Sequence, residues 1–132
     1  MRLWGVMIMN REQLEYALRG NIAIQFRIEV GDGWIPLVFE LHQQLKSLDP
    51  TYEIIQVKEK FGILRVYFRA IDSSKYTEME KITSVYEAHS GIICEFCGGF
   101  GKSCNLGGWM KTYCDQCYEN WQKNDTRTRI YN

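Results

Sequence analysis

The chain has 132 residues, with sixteen Lys and Arg against sixteen Asp and Glu, 45% hydrophobic residues and 14% aromatic ones. That length and apolar share suit one packed domain, or one with a small appendage, and exclude a wholly disordered chain. A net charge of zero argues against wholesale polyanion binding, so any nucleic-acid role must come from a local patch.

The opening MRLWGVMIMN reads as a short first strand, or as a late true start at Met7 or Met9. It is too short for a signal-peptide core and shows no small-residue cleavage site. No run approaches the ~18 apolar residues of a membrane span, and the expected location is the cytoplasm. Asn10 and Gln13 have the form of a capping box, which predicts a short helix over Arg11–Arg19 closed by Gly20. In NIAIQFRIEV, Ile22, Ile24, Phe26, Ile28 and Val30 alternate with Ala23, Gln25, Arg27 and Glu29, the period of a half-buried strand. GDGW interrupts it, with Asp32 read as a helix-entry cap and Trp34 as core. Pro36 suits the first turn of a helix whose stripe is Leu37, Val38, Leu41, Leu45 and Leu48, ended by Asp49-Pro50. His42 lies near that stripe and reads as structural.

Two strands follow, Tyr52–Lys60 and Ile63–Arg69, and then a helix from Ser73 and Ser74 to His89. The order predicts an α+β fold: a small, mainly antiparallel sheet with helices on one face, followed by a C-terminal Cys₄ zinc ribbon. Its expected division is a body over 1–91 and a ribbon module over 92–132, packed on the body and ending in a polar tail from Asn124 to Asn132.

The most strand-like stretch, QVKEKFGILRVYF, is also rich in charge, and strand parity sorts those charges. Ile55, Val57 and Phe61 share one side, continued by Leu64, Val66 and Phe68; that side is core. The other carries Gln56, Lys58, Lys60, Arg65, Tyr67 and Arg69, joined by Gln25 and Arg27 if the first strand pairs alongside. Glu29 is the only acid expected there, since Glu59 falls on the core side and must sit at the turn or find a partner. Arg27, Lys58, Lys60, Arg65, Tyr67 and Arg69 are therefore the candidate binding residues, for phosphates or for an acidic protein surface. The same pattern is also that of a solvated face guarding a sheet edge.

Five cysteines lie at 94, 97, 104, 114 and 117. CEFC and CDQC are two C-x-x-C pairs separated by sixteen residues, a zinc-ribbon spacing, and an odd, clustered set is unlike a secreted disulfide framework. Cys94, Cys97, Cys114 and Cys117 are the candidate ligands of one structural zinc per chain, with Cys104 a filler or spare thiol. His89 could support the site or merely end its helix. No phosphate loop, nucleophile elbow or H-E-x-x-H is present, so no catalytic residue is assigned.

VGDGW (Val30–Trp34), QVKEKFGILR (Gln56–Arg65), CEFCGG (Cys94–Gly99), Gly108-Trp109 and CDQC (Cys114–Cys117) together resemble a family of small phage and prophage proteins. The resemblance spans about residues 28 to 118. It implies a phage or mobile-element accessory protein with a structural zinc, working in the cytoplasm of a host cell, and it transfers no catalytic residue. Stoichiometric binding to a host or phage protein follows as the first expectation, with antagonism of a host defence as one such task. Two alternatives stand beside it: nucleic-acid binding through the basic sheet face, and an enzyme or ligand-sequestering protein with a pocket near GDGW and KEKFG.

Overall fold

The computed structural model describes residues 9–124. The short first strand expected near the N-terminus, apart from Met9 and Asn10, and the tail beyond Asn124 lie outside the described residues. The order is α1 (Arg11–Ala17), β1 (Ile22–Glu29), α2 (Ile35–Leu48), β2 (Glu53–Lys60), β3 (Ile63–Arg69), α3 (Tyr76–His89), β4 (Lys102–Leu106), β5 (Trp109–Tyr113) and α4 (Asp115–Asn124). No described helix is long and apolar enough to cross a membrane.

The capping box forms as expected: the Asn10 side chain accepts from the Gln13 amide and the Gln13 side chain accepts from the Asn10 amide. Leu14, Leu18, Trp34, Ile35, Leu37, Val38, Leu41 and Leu45 then bury one continuous apolar layer against Ile54, Val57, Leu64 and Val66 of the sheet and Met79 of α3. His42 is buried and shares a 2.7 Å hydrogen bond with the Tyr52 hydroxyl. Burial lowers its pKa, helped by nearby Lys46, so the ring is held neutral as part of the core.

The fold is α+β, with a three-stranded sheet in the order β1-β2-β3 and a separate β4-β5 hairpin. Two of the three strand pairings are antiparallel; β1 and β2 are parallel, because α2 carries the chain back to the starting edge. Two irregularities correct the strand-parity expectation. A register shift in β1 between Ile22 and Arg27 turns Ile22 and Ile24 outward, leaving Phe26, Ile28 and Val30 to face the core. A second shift between Ile54 and Gln56 makes Ile54 the buried residue and moves Ile55 off the core side. One extra residue in a strand reverses every side chain before it.

Edge protection explains how α3 sits. Along β3, the Leu64 amide donates to Ser90 Oγ (2.8 Å) and the Val66 amide to Glu87 Oε2 (3.0 Å), so side chains from the end of α3 satisfy a strand edge that would otherwise be open. α4 lies in the ribbon region where no helix was expected. Its polar sequence offers no apolar stripe beyond Tyr118 and Trp121, which stack with ring centroids 5.9 Å apart.

Candidate metal centre and binding surface

Cys94 and Cys97 lie on a tight turn after α3. Cys114 immediately precedes α4 and Cys117 lies in its first turn. The Cys94 amide donates to Gly99 O (2.7 Å) and the Gly98 amide to Cys94 O (2.8 Å); Gly98, at φ +86, lets the turn close. The four Sγ atoms all lie within 4.8 Å of one another, close enough to bind a metal ion. A tetrahedron with metal–sulfur bonds of about 2.3 Å has sulfur–sulfur edges of about 3.8 Å. Cys97 and Cys114 Sγ are 3.8 Å apart, the length of one such edge, and the other separations, all within 4.8 Å, lie within about an ångström of it.

Amide donors tune these sulfurs. Gly99 N–H points at Cys97 Sγ and Cys117 N–H at Cys114 Sγ, each at 3.4 Å. The second of these, above all, draws the Cys114 thiol down to about 7, whereas burial pushes Cys97 and Cys117 up. Cys104 is buried on β4, with its thiol near the Lys102 and Tyr113 carbonyls, and is not part of the cluster. His89 likewise belongs to the last turn of α3, outside the cluster.

The ribbon fills the space between GDGW and KEKFG. The Gly33 amide donates to Glu95 O (2.7 Å), the Gly31 amide to Glu95 Oε2 (3.0 Å) and Trp34 Nε1 to Ile93 O (2.8 Å). On the other side, Thr112 Oγ1 donates to Gly62 O (2.6 Å). Lys111 Nζ lies 3.0 Å from Glu59 and 3.4 Å from Glu95, both well sheltered. Burial opposes its charge, but the two carboxylates prevail and raise its pKa overall. Glu59 thus finds its partner in β5, and its other oxygen accepts from the Gly62 amide (2.6 Å). Asp32 is no cap: its side chain is largely exposed and pairs with Arg11 at 3.3 Å.

The expected sheet face forms, and it is less basic than parity implied. Its rows run Arg27–Gln56–Tyr67 and Glu29–Lys58–Arg65 across the three strands. Arg27, Lys60, Tyr67 and Arg69 are exposed, while Lys58 and Arg65 are half-buried. Glu29 is not the only acid there: Arg69 pairs with Glu53, and Arg65 with Glu87 at 3.8 Å. Helix and strand ends bring in carboxylates that parity within one strand cannot count.

Phe61 overturns its expected place in the core. It sits with Gly62 in a two-residue turn, at φ +55 and +82 respectively, and is 75% exposed. Positive φ at both positions is the pattern of a type I′ hairpin, which favours Asn-Gly. A matching turn at Gly107-Gly108 presents Trp109, 69% exposed. Phe61, Trp109 and Met110 line one groove of about 420 Å³ with Glu59, Lys60 and Gly108. The signal available in sequence was the FG pair between two strands. Compared with family models, curated proteins and solved structures, the chain finds no match in any of the three.

Proposed function

We propose that the protein holds one structural zinc and acts by stoichiometric binding through its two hairpin tips and the adjoining sheet face. Four thiolates complete a tetrahedral shell and leave no place for a reactive water, so such a metal staples the fold. The observation that carries the binding reading is Phe61. A bulky residue in the left-handed region costs on the order of 1–2 kcal/mol, and here little burial offsets it. Asn or Gly would make the same turn with less strain, so the ring serves something outside the chain.

Exposed Trp, Phe and Met in one groove have the composition of contact anchors. The resemblance to phage proteins implies a host protein as partner, a defence component among the candidates; the surface supports binding without choosing that class. Titration of purified protein against a partner captured from lysate tests the reading. Saturation near one protomer per target site supports it, and turnover far beyond the protein concentration refutes it. Metal analysis separates zinc from iron, the other common tenant of a four-thiolate shell.

A further inference from the structure

We propose that the partner at this surface is single-stranded nucleic acid, stacked on Phe61, Trp109 and Tyr67 and held by Arg27, Lys58 and Lys60. The proposal rests on the binding reading above and gives its partner a chemistry.

The charge left over on the face is positive. Glu53 is engaged by Arg69, Glu87 by Arg65 and the Val66 amide, Glu59 by Lys111 and the Gly62 amide, and Glu29 by the Gln56 side chain (3.1 Å). Among the described residues, no ion pair joins Arg27, Lys58 or Lys60 to a carboxylate. Glu53, Glu59 and Glu87 each have a cation partner within the fold, whereas Glu29 keeps its charge. Set against Arg27, Lys58 and Lys60 it leaves an excess of two positive charges (three minus one), which complements a polyanion although the whole chain is neutral.

The rings are placed to alternate with those cations. Tyr67, 45% exposed, stands opposite Gln56 in the same row as Arg27. Lys58 and Lys60 follow on the same face of β2, and Phe61 comes next at the tip, beside Trp109. Five residue steps from Gln56 to Phe61 span roughly 17 Å at extended spacing. That is a short strip for a few nucleotides, within the ~4–16 nucleotide sites of single-strand binders. A duplex keeps its base faces stacked inside and cannot use the rings. Lys60 Nζ already lies 5.9 Å from the Phe61 ring centroid, so a phosphate on Lys60 would bring the adjoining base close to that ring.

The test uses the full-length, zinc-loaded protein and a fluorescein-labelled oligothymidylate of about 20 nucleotides, followed by anisotropy. Three cations at about −0.7 each predict a log–log salt slope of about −2, so affinity should fall about 20-fold between roughly 50 and 200 mM salt. Phe61→Asn keeps the turn while removing the ring, and Trp109→Ala removes the second; each should weaken binding about fivefold or more. Lys58→Glu with Lys60→Glu should abolish it. Phe100→Ala, at an exposed ring outside the groove, should leave it unchanged. Equal affinity for a duplex of the same length, or an equal loss from Phe100→Ala, would overturn stacking on this strip. Failure to bind the oligonucleotide, with Phe61→Asn still abolishing capture of a nuclease-resistant protein partner, overturns the nucleic acid and leaves the binding reading standing. Failure of both removes both.

Discussion

Replacing Gly33 by Ala tests how the body and the cysteine module are joined. A Cβ at this position would lie 2.1 Å from the Cys94 carbonyl oxygen, 2.5 Å from the Gly98 nitrogen and 2.7 Å from the Glu95 carbonyl oxygen. All three are backbone atoms of the first cysteine turn, so no side chain can swing aside. Reaching an ordinary 3.4 Å contact with Cys94 requires a separation of about 1.3 Å. Overpacking alone typically costs about 1–3 kcal/mol. The hydrogen bonds from Gly33, Gly31 and Trp34 to Ile93 and Glu95 are loosened with it, at about 1 kcal/mol each. The expected loss is therefore about 4–6 kcal/mol, a large part of the ~5–15 kcal/mol that holds a domain together. Thermal unfolding should show it as a fall of about 10–20 °C. A chelator-competition assay should show faster loss of metal, although Gly33 is no ligand. Gly20→Ala is the control: Gly20 has φ +88 but nothing within 4 Å of the added methyl, so it should cost about 1 kcal/mol and leave metal retention alone. If Gly33→Ala matches Gly20→Ala in both assays, the seam is not what seats the metal.

Metal analysis should find one zinc per chain, and Ser at Cys94, Cys97, Cys114 or Cys117 should release it and unfold the ribbon, whereas Cys104→Ser should keep it. Lys111→Met leaves Glu59 and Glu95 without their cation and should cost about 2 kcal/mol at neutral pH by chemical denaturation. Because the folded-state pKa of Lys111 is raised above 10.5, that contribution is fully present below pH 10.5 and is lost as pH climbs through the raised value. The difference between wild type and variant should therefore be flat through neutrality and close only in strong alkali; a gap that closes below pH 9 would contradict the ion pairing. Glu87→Ala removes the acceptor of the Val66 amide and should cost about 1–2 kcal/mol, read by the same denaturant titration, with faster amide exchange at Val66.

Local signals were legible wherever one element decides its own geometry. The capping box at Asn10 and Gln13, the α2 stripe and the cysteine spacing each require only neighbours in sequence, and each is found where expected. Parity along Gln56–Lys60 and Leu64–Phe68 also holds, because the hairpin register from Gln56 to Lys60 is unbroken. It fails at Ile55, where β2 has one extra residue relative to β3, and in β1, where five steps from Ile22 to Arg27 face two from Ile54 to Gln56. Both excesses are odd, so they reverse parity without altering composition. Phe61 was misplaced because an apolar residue next to a strand reads as core, while its positive φ is imposed by the turn. α4 is polar on average, and its one-sided pattern, Cys117, Tyr118 and Trp121 at helical spacing, is passed over because the segment reads as part of the cysteine ribbon.

Three of the five stretches that carry the resemblance meet at the seam between body and ribbon. Gly31, Gly33 and Trp34 grip the first cysteine turn, Glu59 and Gly62 grip β5, and Glu95 reaches both through Gly31 and Lys111. Motifs placed this way need no catalytic meaning: a methyl at Gly33 would strike a backbone carbonyl, and one at Gly62 would crowd the Lys111 backbone at 3.1 Å. The charge in the middle of QVKEKFGILR divides accordingly. Glu59 points inward to hold the ribbon, whereas Lys58 and Lys60 point outward from the same strand. One strand thus anchors the module and carries the cations beside the exposed rings. The ribbon sets Trp109 beside the tip that presents Phe61, so a metal held by the four cysteines would help set the shape of the proposed binding surface.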